Sequence, residues 1–179
     1  MKKKIILFVC SGNMFRSPIA EAYFDMLLKK NNDHKFFVAK SAGIQGTGGK
    51  IKLKGQNPPK FKNLRNYELE WKHSEPLLKS ANIDISKHNF VAINKKIILE
   101  SSLIIAMSKD IYQTRTNSLL NQFLENKDKI FLLSNIINKK RGIPDVFGKR
   151  KRRMYKVAIG QIQNYLDSGY KKIIKLAKN

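Results

Sequence analysis

Ile5-Ile6-Leu7-Phe8-Val9-Cys10-Ser11-Gly12-Asn13-Met14-Phe15-Arg16-Ser17-Pro18 is the stretch on which the reading of the fold turns. Ile5–Val9 is short, apolar and rich in β-branched residues, the pattern of a strand buried on both faces. Ser11-Gly12-Asn13 makes a tight polar loop. Ser17-Pro18 reads as a helix start, since proline is tolerated in the first turn and serine caps free amides. Ala20, Tyr23, Phe24, Leu27 and Leu28 then recur at helical spacing up to Lys30. Strand, loop and helix follow one another without a break.

Moving outward, Lys35–Lys40 predicts a second strand that ends at Ser41-Ala42-Gly43, Ser102–Ala106 a third and Lys129–Leu133 a fourth. Helices are expected around Glu75–Ala81, over Lys109–Leu124 and from about Lys149 to Lys178. Strands alternating with helices imply a parallel sheet covered on both faces. The chain has 179 residues and 20.7 kDa, suited to one α/β domain over 1–179. A surface excursion at about 44–74, rich in Gly, Lys and Asn, enlarges it. No run approaches the roughly 20 apolar residues of a membrane span. The five-residue run before Cys10 is too short for a signal peptide, so a cytoplasmic location is expected.

Thirty-six basic residues against thirteen acidic ones give a net charge of +23. Such a surplus attracts phosphoesters, nucleic acid or other anions. Eight of the cations fall in Lys139–Lys140–Arg141 and Lys149–Arg153, around a lone acid, Asp145. That block either attracts substrates with acidic flanks or is a solvated surface. Cys10 is the single cysteine, which excludes intrachain disulfides and cysteine-cluster metal sites.

Cys10 and Arg16 stand at the two ends of a loop between a strand's carboxyl end and a helix's amino end, where open α/β sheets bind ligands. Backbone N–H groups of such a loop and the helix dipole attract an anion. Gly12 is expected to supply an unusual backbone angle. Arg16 can grip two phosphate oxygens at once. The same field favours thiolate over thiol and makes Cys10 a nucleophile. A buried structural cysteine is the bland alternative.

The stretch from Phe8 to Glu21, with its Cys-x5-Arg-Ser loop, resembles the low-molecular-weight protein tyrosine phosphatases. Ser41-Ala42-Gly43, Ile83–His88, Leu103–Met107 and Ile143-Pro144-Asp145 extend the resemblance in order. It implies a flavodoxin-like three-layer fold, with a four-stranded parallel sheet flanked by helices. It also implies phosphomonoester hydrolysis without metal or other cofactor, through a phosphocysteine. Cys10 would be the nucleophile, Arg16 the phosphate clamp and Asp145 the general acid. Ser11, Gly12, Asn13, Met14, Phe15, Arg16 and Ser17 would bind phosphate, and Asn13, Ser17, Ser41 and His88 would support the loop. Substrates would be phosphotyrosine proteins or small aryl phosphates, with phosphoarginine left open. His34 and His73 match nothing in the pattern and are read as structural.

Three departures stand out. Val146 follows Asp145 where the family usually has proline, which predicts a looser acid loop. Phe15 fills a position where many members carry a second cysteine. The aromatic lining of the channel also departs: Phe147 is expected to form one wall, Gly148 follows where the family commonly has an aromatic, and Phe61, Tyr67 or Trp71 is either the facing wall or part of the core. Two rivals remain. An arsenate reductase with only Cys10 would need an external small thiol. A silent phosphate- or nucleic-acid-binding module would rest on charge alone, and no nucleic-acid motif supports it.

Overall fold

The computed structural model describes residues 2–45 and 63–178. Four strands, β1 (Lys4–Cys10), β2 (Phe37–Gly43), β3 (Ser101–Ala106) and β4 (Ile130–Leu132), form one parallel sheet in the order β2-β1-β3-β4. The helices are α1 (Arg16–Lys30), α2 (Glu68–Ser80), α3 (Lys95–Glu100), α4 (Leu119–Gln122), α5 (Leu133–Ile136) and α6 (Arg152–Lys178). This is the flavodoxin-like arrangement the resemblance implies. The chain leaves β1 towards β2 on one side and returns to β3 on the other. That reversal opens a crevice at the carboxyl end of β1, where Cys10 sits.

Period-two alternation sorts the strand side chains into two layers. Ile6, Phe8, Ala39, Leu103 and Ile105 pack on one face against Phe24 and Leu28 of α1 and Ile162 and Leu166 of α6. Leu7, Val9, Ala42, Ile104 and Ala106 pack on the other against Ile98 of α3 and Leu119 of α4. Tyr23 lies on the edge of its stripe and reaches Asp167 of α6 with its hydroxyl, 3.0 Å away. None of the described helices is long and apolar enough to cross a membrane.

Several elements differ from the sequence expectation. Helix α1 starts at Arg16, and its cap position is Phe15, with no side-chain capping bond. Ser17 does not cap it, because its hydroxyl is directed at Cys10 instead. Helix α2 begins seven residues earlier than expected and carries Pro76 inside it. Tyr67 and Trp71, packed against the core, hold that extra turn in place.

The expected helix over Lys109–Leu124 is broken into a π-helical turn, Asp110–Thr114, and the short α4. Polar side chains divert the backbone between them. The Asn121 amide donates to the Arg115 carbonyl at 2.8 Å, and the Asn117 amide to the Ile44 carbonyl at 2.8 Å. Most of the 44–74 excursion, including Phe61, lies outside the described residues.

Candidate active site

The loop from Cys10 to Arg16 is shaped by close packing at its base. Cys10 pairs with Gly43 across β1 and β2. A Cβ on Gly43 would sit 2.7 Å from the Ser11 carbonyl oxygen, so only glycine lets the loop lie this close to β2. The left-handed residue of the loop is Asn13, with φ +48°, and not Gly12. A Cβ at Gly12 would meet only flexible side-chain ends, the Met14 Cε at 3.0 Å and the Gln45 Oε1 at 3.3 Å, so the close approach that requires glycine is at Gly43.

Two donors face the Cys10 sulfur. The Asn13 backbone N–H is 3.2 Å from Sγ, and the Ser17 hydroxyl 3.0 Å. Both stabilise negative charge on sulfur. Behind them Asn13, fully buried, anchors a network. Its Nδ2 donates to Ser17 Oγ at 3.0 Å and to Ser41 Oγ at 2.9 Å. Its Oδ1 accepts from the Val91 N–H at 2.8 Å. His88 Nε2 lies 3.0 Å from the Asn13 carbonyl and 3.1 Å from Oδ1. Both are acceptors, so the ring proton is on Nε2.

Ser41 in turn donates to Glu21, whose carboxylate also lies 3.9 Å from His88 Nδ1. Burial pushes the Glu21 carboxyl up, against the Ser41 bond and Lys40. Burial holds the His88 imidazole below its ordinary range, with the bond to Asn13 opposing. Asn13, Ser17, Ser41 and His88 are thus brought together, and Glu21 joins them. Its place four residues after Ser17 on α1 was the only sequence hint of that.

Arg16 is 4% exposed, and its guanidinium is held from three sides. Nη1 donates to Ser108 Oγ at 3.1 Å and to the Ile143 carbonyl at 3.4 Å, and Nη2 to Asp145 Oδ2 at 2.7 Å. Ser108 donates to Asp110, which pairs with Arg115 at 2.8 Å. Arg115 returns to the loop, donating to Ser11 Oγ at 2.9 Å. Burial opposes ionisation of Asp110, but Ser108, Arg115 and Arg16 outweigh it and hold the carboxyl below its usual range. Ser108, Asp110 and Arg115 come from the broken segment after β3, and a helical reading of that segment hid them.

A cavity of about 310 Å³ is lined by Cys10, Ser11, Gly12, Met14, Phe15, Arg16, Gln45, Asp145 and Phe147. Phe15 is fixed by an edge-to-face contact with Tyr155, their centroids 5.6 Å apart. Phe147, 39% exposed, meets the Tyr67 ring at 5.1 Å. Trp71 packs against the core with the Arg65 guanidinium 5.9 Å above its ring, so of the described candidates for the facing wall Tyr67 is the one beside Phe147. Among the described residues no three His, Cys, Asp or Glu side chains are grouped to hold a metal. His73 lies against Tyr155, ring centroids 5.3 Å apart, away from the cavity lining.

Residues 5–66 match the family model of the low molecular weight phosphotyrosine protein phosphatases. Among curated proteins the chain is 31% identical over 110 residues to arsenate reductase 1 of Staphylococcus epidermidis. It is 29% identical over 113 residues to the human low molecular weight phosphotyrosine protein phosphatase. These matches cover 62% and 63% of this chain and 64% and 65% of the relatives, just under two thirds of their length. The low molecular weight protein tyrosine phosphatase structure from T. tengcongensis superposes with a TM-score of 0.69 at 26% identity, covering 95% of this chain and 99% of that one. The YwlE arginine phosphatase from Geobacillus stearothermophilus shares the fold at 24% identity, with a TM-score of 0.68 over 96% and 94% of the two chains.

Proposed function

We propose that the chain is a member of the low molecular weight phosphotyrosine protein phosphatase family and, on that premise, that it hydrolyses phosphomonoesters through a phosphocysteine. The observation that carries this reading is the convergence of Cys10, Arg16 and Asp145 on one cavity. Cys10 Sγ attacks phosphorus in line with the ester oxygen. Arg16 and the loop amides stabilise the equatorial oxygens, where transition-state charge gathers. Asp145 protonates the leaving oxygen. It then takes a proton from the water that attacks the phosphocysteine. The Ser17 hydroxyl, 3.0 Å from the sulfur, stabilises the departing thiolate. Every charge in this scheme is met by a protein group, so the reaction proceeds in a chelator.

The favoured substrate is an aryl phosphate, phosphotyrosine in a protein. Support comes from the apolar cavity wall of Met14, Phe15 and Phe147, which suits a phenyl ring. The eight cations around Asp145 are all exposed, and among the described residues none is ion-paired. They favour substrates with acidic residues beside the phosphate.

The decisive experiment is hydrolysis of p-nitrophenyl phosphate in EDTA by the wild type, Cys10→Ser and Asp145→Asn. Turnover abolished by the first change and strongly reduced by the second supports the scheme; turnover that survives Cys10→Ser refutes it. The 31% identity to an arsenate reductase gives a second reading. There Cys10 would displace hydroxide from arsenate. An external thiol would then attack the Cys10 sulfur, releasing arsenite and leaving a mixed disulfide that a second thiol reduces. Arsenite formation with glutathione, and no phosphatase turnover, would favour it.

A further inference from the structure

Glu70 is a carboxyl that the proposed chemistry does not use. It lies in the first turn of α2, is 6% exposed, and accepts the Gly148 backbone N–H at 2.9 Å. Among the described residues no cation pairs with it. The helix dipole favours a carboxyl in this first turn but does not explain why this one is turned inward onto the Gly148 amide, and that orientation calls for a reason.

That reason lies in the three residues after Asp145. Val146 is 1% exposed and sits in the core. Phe147 meets the Tyr67 ring edge-to-face. Gly148 takes φ +75°, an angle glycine adopts without strain, and turns its N–H to Glu70. The Phe147 N–H reaches back to Asp145 Oδ1 at 3.2 Å, and the Lys149 N–H to the Val146 carbonyl at 3.0 Å. Val146, Phe147 and Gly148 are thus each held by a different contact, two of them made by the Tyr67–Glu70 end of α2.

We propose that Glu70, with Tyr67, clamps the acid loop and sets the aim of the Asp145 carboxyl, supplying the backbone restraint that a proline after the acid would otherwise give. Glu70 is a positioning residue: it acts on Asp145 through the Gly148 amide. The inference rests on Asp145 being the general acid.

The test compares kcat/KM of wild type, Glu70→Ala, Glu70→Gln and Asp145→Asn for p-nitrophenyl phosphate and phenyl phosphate. Phenolate leaves poorly and needs the acid; p-nitrophenolate leaves readily. Since general acids contribute about 10²–10⁴-fold, a misaimed acid is expected to cost about tenfold on phenyl phosphate and less than about twofold on the nitrophenyl ester. Adding Val146→Pro to Glu70→Ala recovers most of the loss. Amide hydrogen exchange across residues 145–149 speeds up in Glu70→Ala.

Equal losses on both esters, or unchanged exchange, overturn the proposal. If Asp145→Asn fails to discriminate the esters, the acid assignment falls, and the exchange measurement alone then decides whether Glu70 holds the loop. Should Glu70→Ala not fold, Glu70→Gln gives the same comparison with a smaller loss.

Discussion

Asn13→Ala tests how far the loop depends on its internal scaffold. The substitution removes side-chain hydrogen bonds to Ser17 Oγ at 3.0 Å, to Ser41 Oγ at 2.9 Å and from the Val91 N–H at 2.8 Å; the His88 N–H loses its 3.1 Å contact to Oδ1 but keeps the Asn13 carbonyl at 3.0 Å, so three bonds are lost outright. At about 1 kcal/mol each, net of water, they amount to ~3 kcal/mol. Alanine held at φ +48° adds about 1 kcal/mol of strain that asparagine largely avoids. The sum, about 4 kcal/mol, is a large share of the ~5–15 kcal/mol by which a domain is stable. With a urea slope of about 2 kcal/mol per molar, the midpoint falls by about 2 M.

The assay is urea unfolding followed by circular dichroism, with p-nitrophenyl phosphate turnover measured well below the midpoint so that folded protein alone is compared. Asn13→Gly loses the same bonds without the left-handed strain and retains about 1 kcal/mol more than Asn13→Ala. A loss below about 1 kcal/mol for Asn13→Ala would refute the reasoning, because the bonds would then be worth little. So would Asn13→Gly proving the less stable of the two.

Three further outcomes are expected. Burial keeps the His88 imidazole below its unfolded value, so folding favours the neutral ring; its contribution is complete above about pH 6.5 and is lost as pH falls through that value towards the folded one. The urea midpoint therefore drops as pH falls below about 6.5, and part of that drop disappears in His88→Gln; identical pH slopes would contradict this. Arg115→Ala frees Ser11 and weakens inhibition by inorganic phosphate about threefold, the size of a half-exposed ion pair, while unchanged inhibition would remove Arg115 from the loop's support. Peroxide drives Cys10 towards sulfinic acid with no internal disulfide, since Phe15 stands where a resolving cysteine would be; recovery of activity without added thiol would contradict it.

The half of the site that is contiguous in sequence was legible. Cys10 to Pro18 carries a strand, a loop and a helix start in one unbroken stretch, and Pro144 marked Asp145 as a loop residue. Ser41 and His88 came only with the family resemblance, since a lone serine or histidine carries no pattern of its own. Glu21, Glu70, Ser108, Asp110 and Arg115 were not legible as partners. Glu21, Glu70, Ser108 and Arg115 owe their places to contacts across the fold, and Asp110 matters because it links Ser108 to Arg115 within a segment whose path no local pattern announces. The segment after β3 misled most, because Ile111 and Leu119 keep a helical phase while Asn117 and Asn121 turn the backbone away from it.

The sequence separations in this network bear on how the protein comes into being. Asn13 is tied to Ser41, 28 residues on, and to His88, 75 residues on. Ser11 is tied to Arg115, 104 residues away, and Arg16 to Asp145, 129 away. Cys10 leaves the ribosome before its supports, which follow one by one. Contacts this distant close late, after the entropy of long loops has been overcome. A nascent or truncated chain that stops just before Asp145 has all four strands of its sheet but carries the thiol without the arginine's partner, and the proposed turnover is expected only once Asp145 is in place. In the proposed phosphatase, turnover would therefore report a chain folded through Asp145.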